Sequence, residues 1–237
     1  LIPDADGIGK DVNSGKVVLD NASAVVEDAL RTKLGKVDWL FVLASGGGGT
    51  GSASSALKPV FDRYLKSVQA EGNVIYIVSW PSAQELLNPT IGKNALSLLN
   101  DVSKHPHILL DNERQIKLLR GKVGILNMYP VANTAFAKLL SQLFKLSSEQ
   151  APGLGASIFQ NCSTRSPCPI PQGKPASGAM LLVVTSEMAS DPEISKHMDA
   201  AISYVGGRTN TLFSGIYLNE SIPGLVALLC MSGLKDK

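Results

Sequence analysis

Residues 39–52 read Trp39-Leu40-Phe41-Val42-Leu43-Ala44-Ser45-Gly46-Gly47-Gly48-Gly49-Thr50-Gly51-Ser52. An apolar run that breaks into glycines and then into an amphipathic stretch is a strand, a tight turn and the start of a helix. The strand is expected over 38–44 and the helix over 51–69, where Ala56, Leu57, Val60, Phe61, Tyr64, Leu65 and Val68 share one face. Bare backbone at such a turn aims N–H groups and the positive end of a helix dipole at one spot, which suits a phosphate. A flexible linker would place its glycines among polar residues, not between a buried strand and an apolar helix face.

The residues after the glycines decide the type of phosphate site. No lysine succeeds them, so a Walker A loop is excluded, because that loop needs Lys at the terminal phosphates. Gly46-x-Gly48-x-x-Gly51 satisfies the dinucleotide fingerprint. The next apolar run, Asn73-Val74-Ile75-Tyr76-Ile77-Val78, ends in Ser79-Trp80 with no acid for a ribose hydroxyl, which ranks an NAD-dependent oxidoreductase second.

The rest of the chain alternates. A loop over residues 1–14 leads to a helix over 22–34 capped by Asn21. A buried strand over 73–79, a helix over 89–103 opened by Pro89 and a strand over 107–111 argue for a parallel sheet with right-handed crossovers. Residues 127–147 form the longest helical pattern. Residues 148–177, rich in proline and without periodicity, read as a connector. Strands over 179–185, 211–218 and 225–231 come next, with a helix over 191–204. The last two strands are expected to pair as an antiparallel hairpin around Ser221-Ile222-Pro223-Gly224. The predicted fold class is thus a Rossmann-like parallel α/β sheet, a long central helix and a smaller α+β domain.

Composition excludes other classes. In 237 residues, 22 Lys and Arg against 20 Asp and Glu give a formal net charge of +2, with no basic stripe for nucleic acid. Three cysteines, Cys162, Cys168 and Cys230, form no C-x-x-C pair and fit free thiols in a reducing cytoplasm. No uninterrupted apolar run is long enough to span a bilayer.

Gly47-Gly48-Gly49-Thr50-Gly51-Ser52 resembles the G-G-G-T-G-[ST] loop of the tubulin/FtsZ family, which holds the phosphates of GTP. Other matches come in order along the chain. Gly9-Lys10-Asp11 with Asn13 is similar to the family's loop near the terminal phosphate. Pro81 with Glu85 resembles the loop whose acid contacts the ribose, although Asn88-Pro89 stand where an arginine usually comes next. Leu110-Asp111-Asn112 resembles the guanine-binding I-x-N, and Tyr129-x-x-x-Asn133 resembles the base-stacking pair at the head of the central helix. Taken singly, Asn112 also reads as a helix cap, Tyr129 as core and Glu85 as a loop acid. Their placement after consecutive strand ends is what argues for a site.

The resemblance implies a GTP-binding domain over 1–126, lacking at its start the family's first strand, loop, helix and second strand. It also implies a central helix over 127–147 and a C-terminal domain over 148–237. It further implies binding of GTP or GDP with Mg²⁺, in which Thr50 and Ser52 hydroxyls assist at the phosphates. Head-to-tail self-association, with an adaptor protein as a further partner, and GTP hydrolysis at the subunit contact are implied as well. The family's acidic catalytic loop has no counterpart, since Ile158 and Asn161 stand where acids are expected. A nucleotide-binding structural protein that does not hydrolyse GTP is therefore the alternative.

Overall fold

The computed structural model describes residues 9–145, 163–166, 177–220 and 224–232. Leu1–Pro169 and Ile170–Lys237 form two compact units.

In the first unit, three strands run parallel: β1 (Leu40–Ser45), β2 (Val74–Trp80) and β3 (His107–Asp111). A fourth parallel strand, β4 (Ser163–Ser166), joins β3, giving the order β1-β2-β3-β4. Residues 163–166 lie inside the stretch expected to be a connector. Ser-Thr-Arg-Ser carries no apolar run, and a sheet-edge strand needs none, because pairing is through backbone.

Helices α1 (Val12–Asn21) and α2 (Ser23–Leu34) precede β1. The loop expected over residues 1–14 therefore ends early, and Asn21 is the last residue of α1, not a cap. Asp11 starts α1 instead, its carboxylate accepting from the Asn13 N–H at 2.9 Å. Gly35, with φ of 62°, ends α2 in a backbone conformation that favours glycine. The helix expected over 51–69 is α3 (Gly49–Ala53), a 3₁₀ turn over Ser54–Leu57 and α4 (Lys58–Ser67). After β2, α5 (Pro89–Val102) is capped by Asn88 with Pro89 at its first position. Then come α6 (Asn112–Leu119) and the long α7 (Met128–Lys145).

The core lies where even-numbered strand residues Leu40, Val74, Tyr76 and Val78 meet Leu19 of α1, Phe61, Tyr64 and Leu65 of α4, and Leu98 and Val102 of α5. On the other face of β2, Ile75 and Ile77 are buried as well, as a central parallel strand requires. Phe144 of α7 meets Phe41 of β1 edge-on, ring centroids 4.8 Å apart.

In the second unit, β5 (Ser177–Val184) lies between β6 (Thr211–Leu218), parallel, and β7 (Val226–Ser232), antiparallel. Helices α8 (Ser186–Ser190) and α9 (Pro192–Gly206) link β5 to β6. The expected hairpin does not form: β6 and β7 flank β5 on opposite sides. Met180, Leu181, Leu182, Val183 and Val184 are all buried, so the most apolar strand takes the centre.

Tyr76 is an oddity of the first core. Its hydroxyl is buried and bonds no described group, and its pKa is pushed up to about 12 by burial and then by the charges of Asp62 and Asp101. A buried hydroxyl without a partner costs stability. Tyr76→Phe is expected to raise stability by about 1 kcal/mol, read from urea midpoints. The folded chain holds a proton that the unfolded chain loses from pH 10 upward, so this residue's contribution to stability falls between pH 10 and about 12. That part of the alkaline loss should vanish in the variant.

Candidate nucleotide site

Three parallel strands end at one edge. Ser45 is opposite Ser79, and Trp80 is opposite Asp111, so the loops after β1, β2 and β3 leave the sheet side by side. Ser79 joins them: its carbonyl accepts from the Gly46 N–H at 3.0 Å, and its hydroxyl accepts from Asn112 Nδ2 at 3.3 Å. Open α/β sheets bind ligands at this carboxyl edge.

The glycines of the first loop have different reasons to be glycine. A Cβ on Gly51 would lie 2.3 Å from the carbonyl oxygen and 2.6 Å from the nitrogen of Ser45, a backbone clash that nothing can relieve. On Gly46 it would press to 3.2 Å from the Ser79 carbonyl, and on Gly47 to 3.0 Å from Ile91 Cγ2. Gly51 is demanded by packing, and Gly46 and Gly47 are favoured by it, because a neighbour would have to give way. Gly48 is not: its φ of −90° and ψ of 163° suit any residue, and a Cβ there would meet nothing within 4 Å. It is also the cap of α3 and lends that helix start no side-chain bond. The leading N–H groups of α3 thus receive no side-chain cap. Gly49 is buried behind them and Thr50 is exposed. Ser52 is fully buried and donates its hydroxyl to the Gly46 carbonyl at 2.9 Å, which ties the two ends of the loop together.

Gly9-Lys10-Asp11 approaches this loop from another direction. Gly9 has φ of +59°, a glycine conformation. Asp11 accepts from the Ser14 hydroxyl at 2.6 Å, and this bond, followed by the backbone N–H groups of Ser14 and Asn13, holds its carboxyl below the usual range. Asp11 is thus a helix cap in the structure. The tie between the loops is Asn94, which the motif matches did not include. Its Nδ2 donates to the Lys10 carbonyl at 2.9 Å and reaches the Gly47 carbonyl at 3.5 Å. A buried amide within the apolar face of an otherwise amphipathic helix was the available signal.

On the far side of Ser79 stand the remaining candidates. Glu85 accepts from the N–H of Ser82 at 2.7 Å and from its hydroxyl at 2.8 Å, closing its own turn. Asp111, not Asn112, caps α6, accepting from the Arg114 N–H at 3.1 Å, which leaves Asn112 as the residue reaching across to Ser79. Glu113 accepts from the Ala83 N–H at 3.0 Å and pairs with Lys117 at 3.2 Å. These contacts, the backbone bond first, hold its carboxyl low. Tyr129 is 42% exposed and so is not a core residue. Its phenol pKa is raised by partial burial and then by the charges of Glu85 and Glu113, so the three share one neighbourhood. Asn133, also exposed, lies one turn further along α7, on the face of Tyr129.

No family model matches the sequence, and no curated protein matches it. Solved structures do match in three dimensions. CetZ from Methanosaeta thermophila superposes with a TM-score of 0.71 at 19% identity, covering 98% of this chain and 70% of its own. CetZ1 from Haloferax volcanii, a GDP-bound monomer, gives 0.71 at 15% identity, over 97% of this chain and 75% of its own. An FtsZ dimer from M. jannaschii gives 0.60 at 16% identity, over 98% and 76%. This chain has the tubulin/FtsZ-like fold.

Within that fold, no described helix is long and apolar enough to cross a membrane, and no described group of three His, Cys, Asp or Glu could hold a metal ion. Cys162, Cys168 and the region around Ile158 and Asn161 lie outside the described residues.

The unequal glycines of the tubulin/FtsZ-like loop make a contrast that can be measured. Gly51→Ala is expected to cost about 3 kcal/mol or more, at the top of the overpacking range, because the clash is with backbone. Gly48→Ala is expected to leave the urea midpoint at or slightly above the wild-type value, because the position accepts a side chain and glycine costs entropy on folding.

Proposed function

We propose that this chain binds GTP or GDP at the carboxyl edge of β1, β2 and β3, assembles head to tail, and hydrolyses GTP at the contact between consecutive subunits. The observation that carries the reading is Gly48: a glycine that the chain's own packing does not require, in open space at a helix start without a side-chain cap. A phosphate needs such bare backbone, and the residues present fit it. The fold's solved neighbours support the choice of ligand, since CetZ1 carries GDP.

In this reading Gly47, Gly48, Gly49, Thr50 and Gly51 form the phosphate cradle, and Ser52 shapes it from behind. Gly9, Lys10 and Asp11 border the terminal phosphate. Asn112 and Asn133 read guanine, because an amide can both donate and accept along its edge, while Tyr129 stacks on the base and the Glu85 loop borders the ribose. Mg²⁺ would supply charge neutralisation at the phosphates. With no cluster of carboxylates among the described residues, phosphate oxygens and water would make up most of its shell. A head-to-tail contact is heterologous and need not close, so it builds filaments. The FtsZ neighbour is a dimer. On this reading the protein works in the cytoplasm, alone or with an adaptor protein. Ile158 and Asn161, standing where acids are expected, favour a second reading in which GTP is bound and not hydrolysed.

The full chain with GTP and Mg²⁺ is expected to pellet on ultracentrifugation and to release inorganic phosphate with a concentration threshold. Gly48→Ala should abolish GTP binding while remaining at least as stable as the wild type. Pelleting without phosphate release would select the non-hydrolysing reading, and absence of guanine-nucleotide binding by the wild type would overturn both.

A further inference from the structure

Asn94 sits in the middle of α5 and is only 5% exposed. Asparagine is a poor residue for a helix interior and costly to bury unless bonded. Its amide nitrogen donates to the Lys10 carbonyl at 2.9 Å and reaches toward the Gly47 carbonyl at 3.5 Å, two groups from distant parts of the chain. A trans peptide is planar, with its C=O and N–H on opposite sides. The Lys10 carbonyl shares its peptide with the N–H of Asp11, and the Gly47 carbonyl shares its peptide with the N–H of Gly48. Drawing both carbonyls onto Asn94 therefore turns both N–H groups away from it. For Gly48 the surroundings are the open space that a Cβ would enter without contact.

We propose that Asn94 is the positioning residue of the phosphate site: one side-chain amide sets two backbone donors, the N–H groups of Asp11 and Gly48, to grip phosphate oxygens from two loops at once. The inference rests on the nucleotide reading above and goes beyond it by assigning a role to a residue outside the loop motifs. Without Asn94 the peptides at 10–11 and 47–48 are free to rotate, and each donor must be ordered at the cost of the ligand's own binding energy. The guanine end, beyond Ser79, does not depend on it.

The test uses the full chain as wild type, Asn94→Ala and Asn94→Asp, the last keeping the shape while losing both donor protons. Calorimetric titration with GTP, guanosine and inorganic triphosphate separates the two ends of the site. Each variant is expected to weaken GTP and inorganic triphosphate about tenfold or more, the effect of losing at least one oriented bond to a charged group, and to leave guanosine within about twofold. An equal fall for GTP and guanosine would mean a merely structural role, and unchanged GTP binding would mean none; either overturns the proposal. Should the wild type bind inorganic triphosphate but no guanine compound, the guanine reading fails, and the triphosphate series alone decides this inference. If the variants do not fold, amide hydrogen exchange of the wild type with and without inorganic triphosphate decides: protection at Asp11 and Gly48 is expected, and its absence overturns the proposal.

Discussion

The backbone of Gly51 passes so close to Ser45 that no side chain fits between them. Everything at the candidate site depends on that approach. It lets the chain reverse from strand to helix within the three residues between Ser45 and Gly49, and so sets the start of α3 directly above the end of β1. Ser52 reinforces the turn by bonding back to Gly46 from a fully buried position. Were the turn wider, the first N–H groups of α3 would point past the sheet edge instead of over it. The later loops would then have nothing to complete.

Those later loops are wired to each other by polar side chains. Asn94 joins the Lys10 loop to the glycine loop, Asn112 joins the start of α6 to β2, and Glu113 joins α6 to the turn after β2. Each bond spans at least 30 residues of sequence. Loops at a sheet edge have few apolar contacts to hold them, so directional bonds from helices hold them instead, α5 being anchored in the core through Leu98 and Val102. The helices thereby lend their order to the loops at the sheet edge.

Legibility in the sequence divides along the same line. β1, β2 and β3 are continuous apolar runs, and for the central strands β2 and β3 burial on both faces is enough to announce them. The glycine loop is legible because bare backbone between strand and helix has few uses. Three features were hidden for physical reasons. Helix α1 contains Gly15, three valines and Asn21, all weak helix formers, and stands through its Asp11 cap and the packing of Val12 and Leu19. Strand β4 pairs at an edge through its backbone, so Ser163–Ser166 carries no apolar signature. The order β6-β5-β7 could not be read from a polar turn, because which strand takes the centre is decided by competition for burial among all three. Asn94 carries no loop signature, because it sits on a helix and bonds the loops from within it.

The four consecutive glycines at 46–49 and the fifth at 51 look alike as letters and differ as constraints. Packing within the chain explains Gly46, Gly47 and Gly51, each with a neighbour that a Cβ would strike or crowd. Glycine is costly in the unfolded state, because it gives up more freedom on folding than any other residue, so a position that tolerates a side chain has a reason to carry one. Gly48 tolerates one and carries none, and the same residue supplies the N–H that Asn94 turns outward. The unexplained glycine and the buried amide are two observations from different elements that meet at one peptide, 47–48, whose carbonyl Asn94 reaches at 3.5 Å. Under the proposed reading, the group that takes bare backbone and oriented N–H donors there is an oxyanion, held at the carboxyl edge where an open α/β sheet receives its ligand.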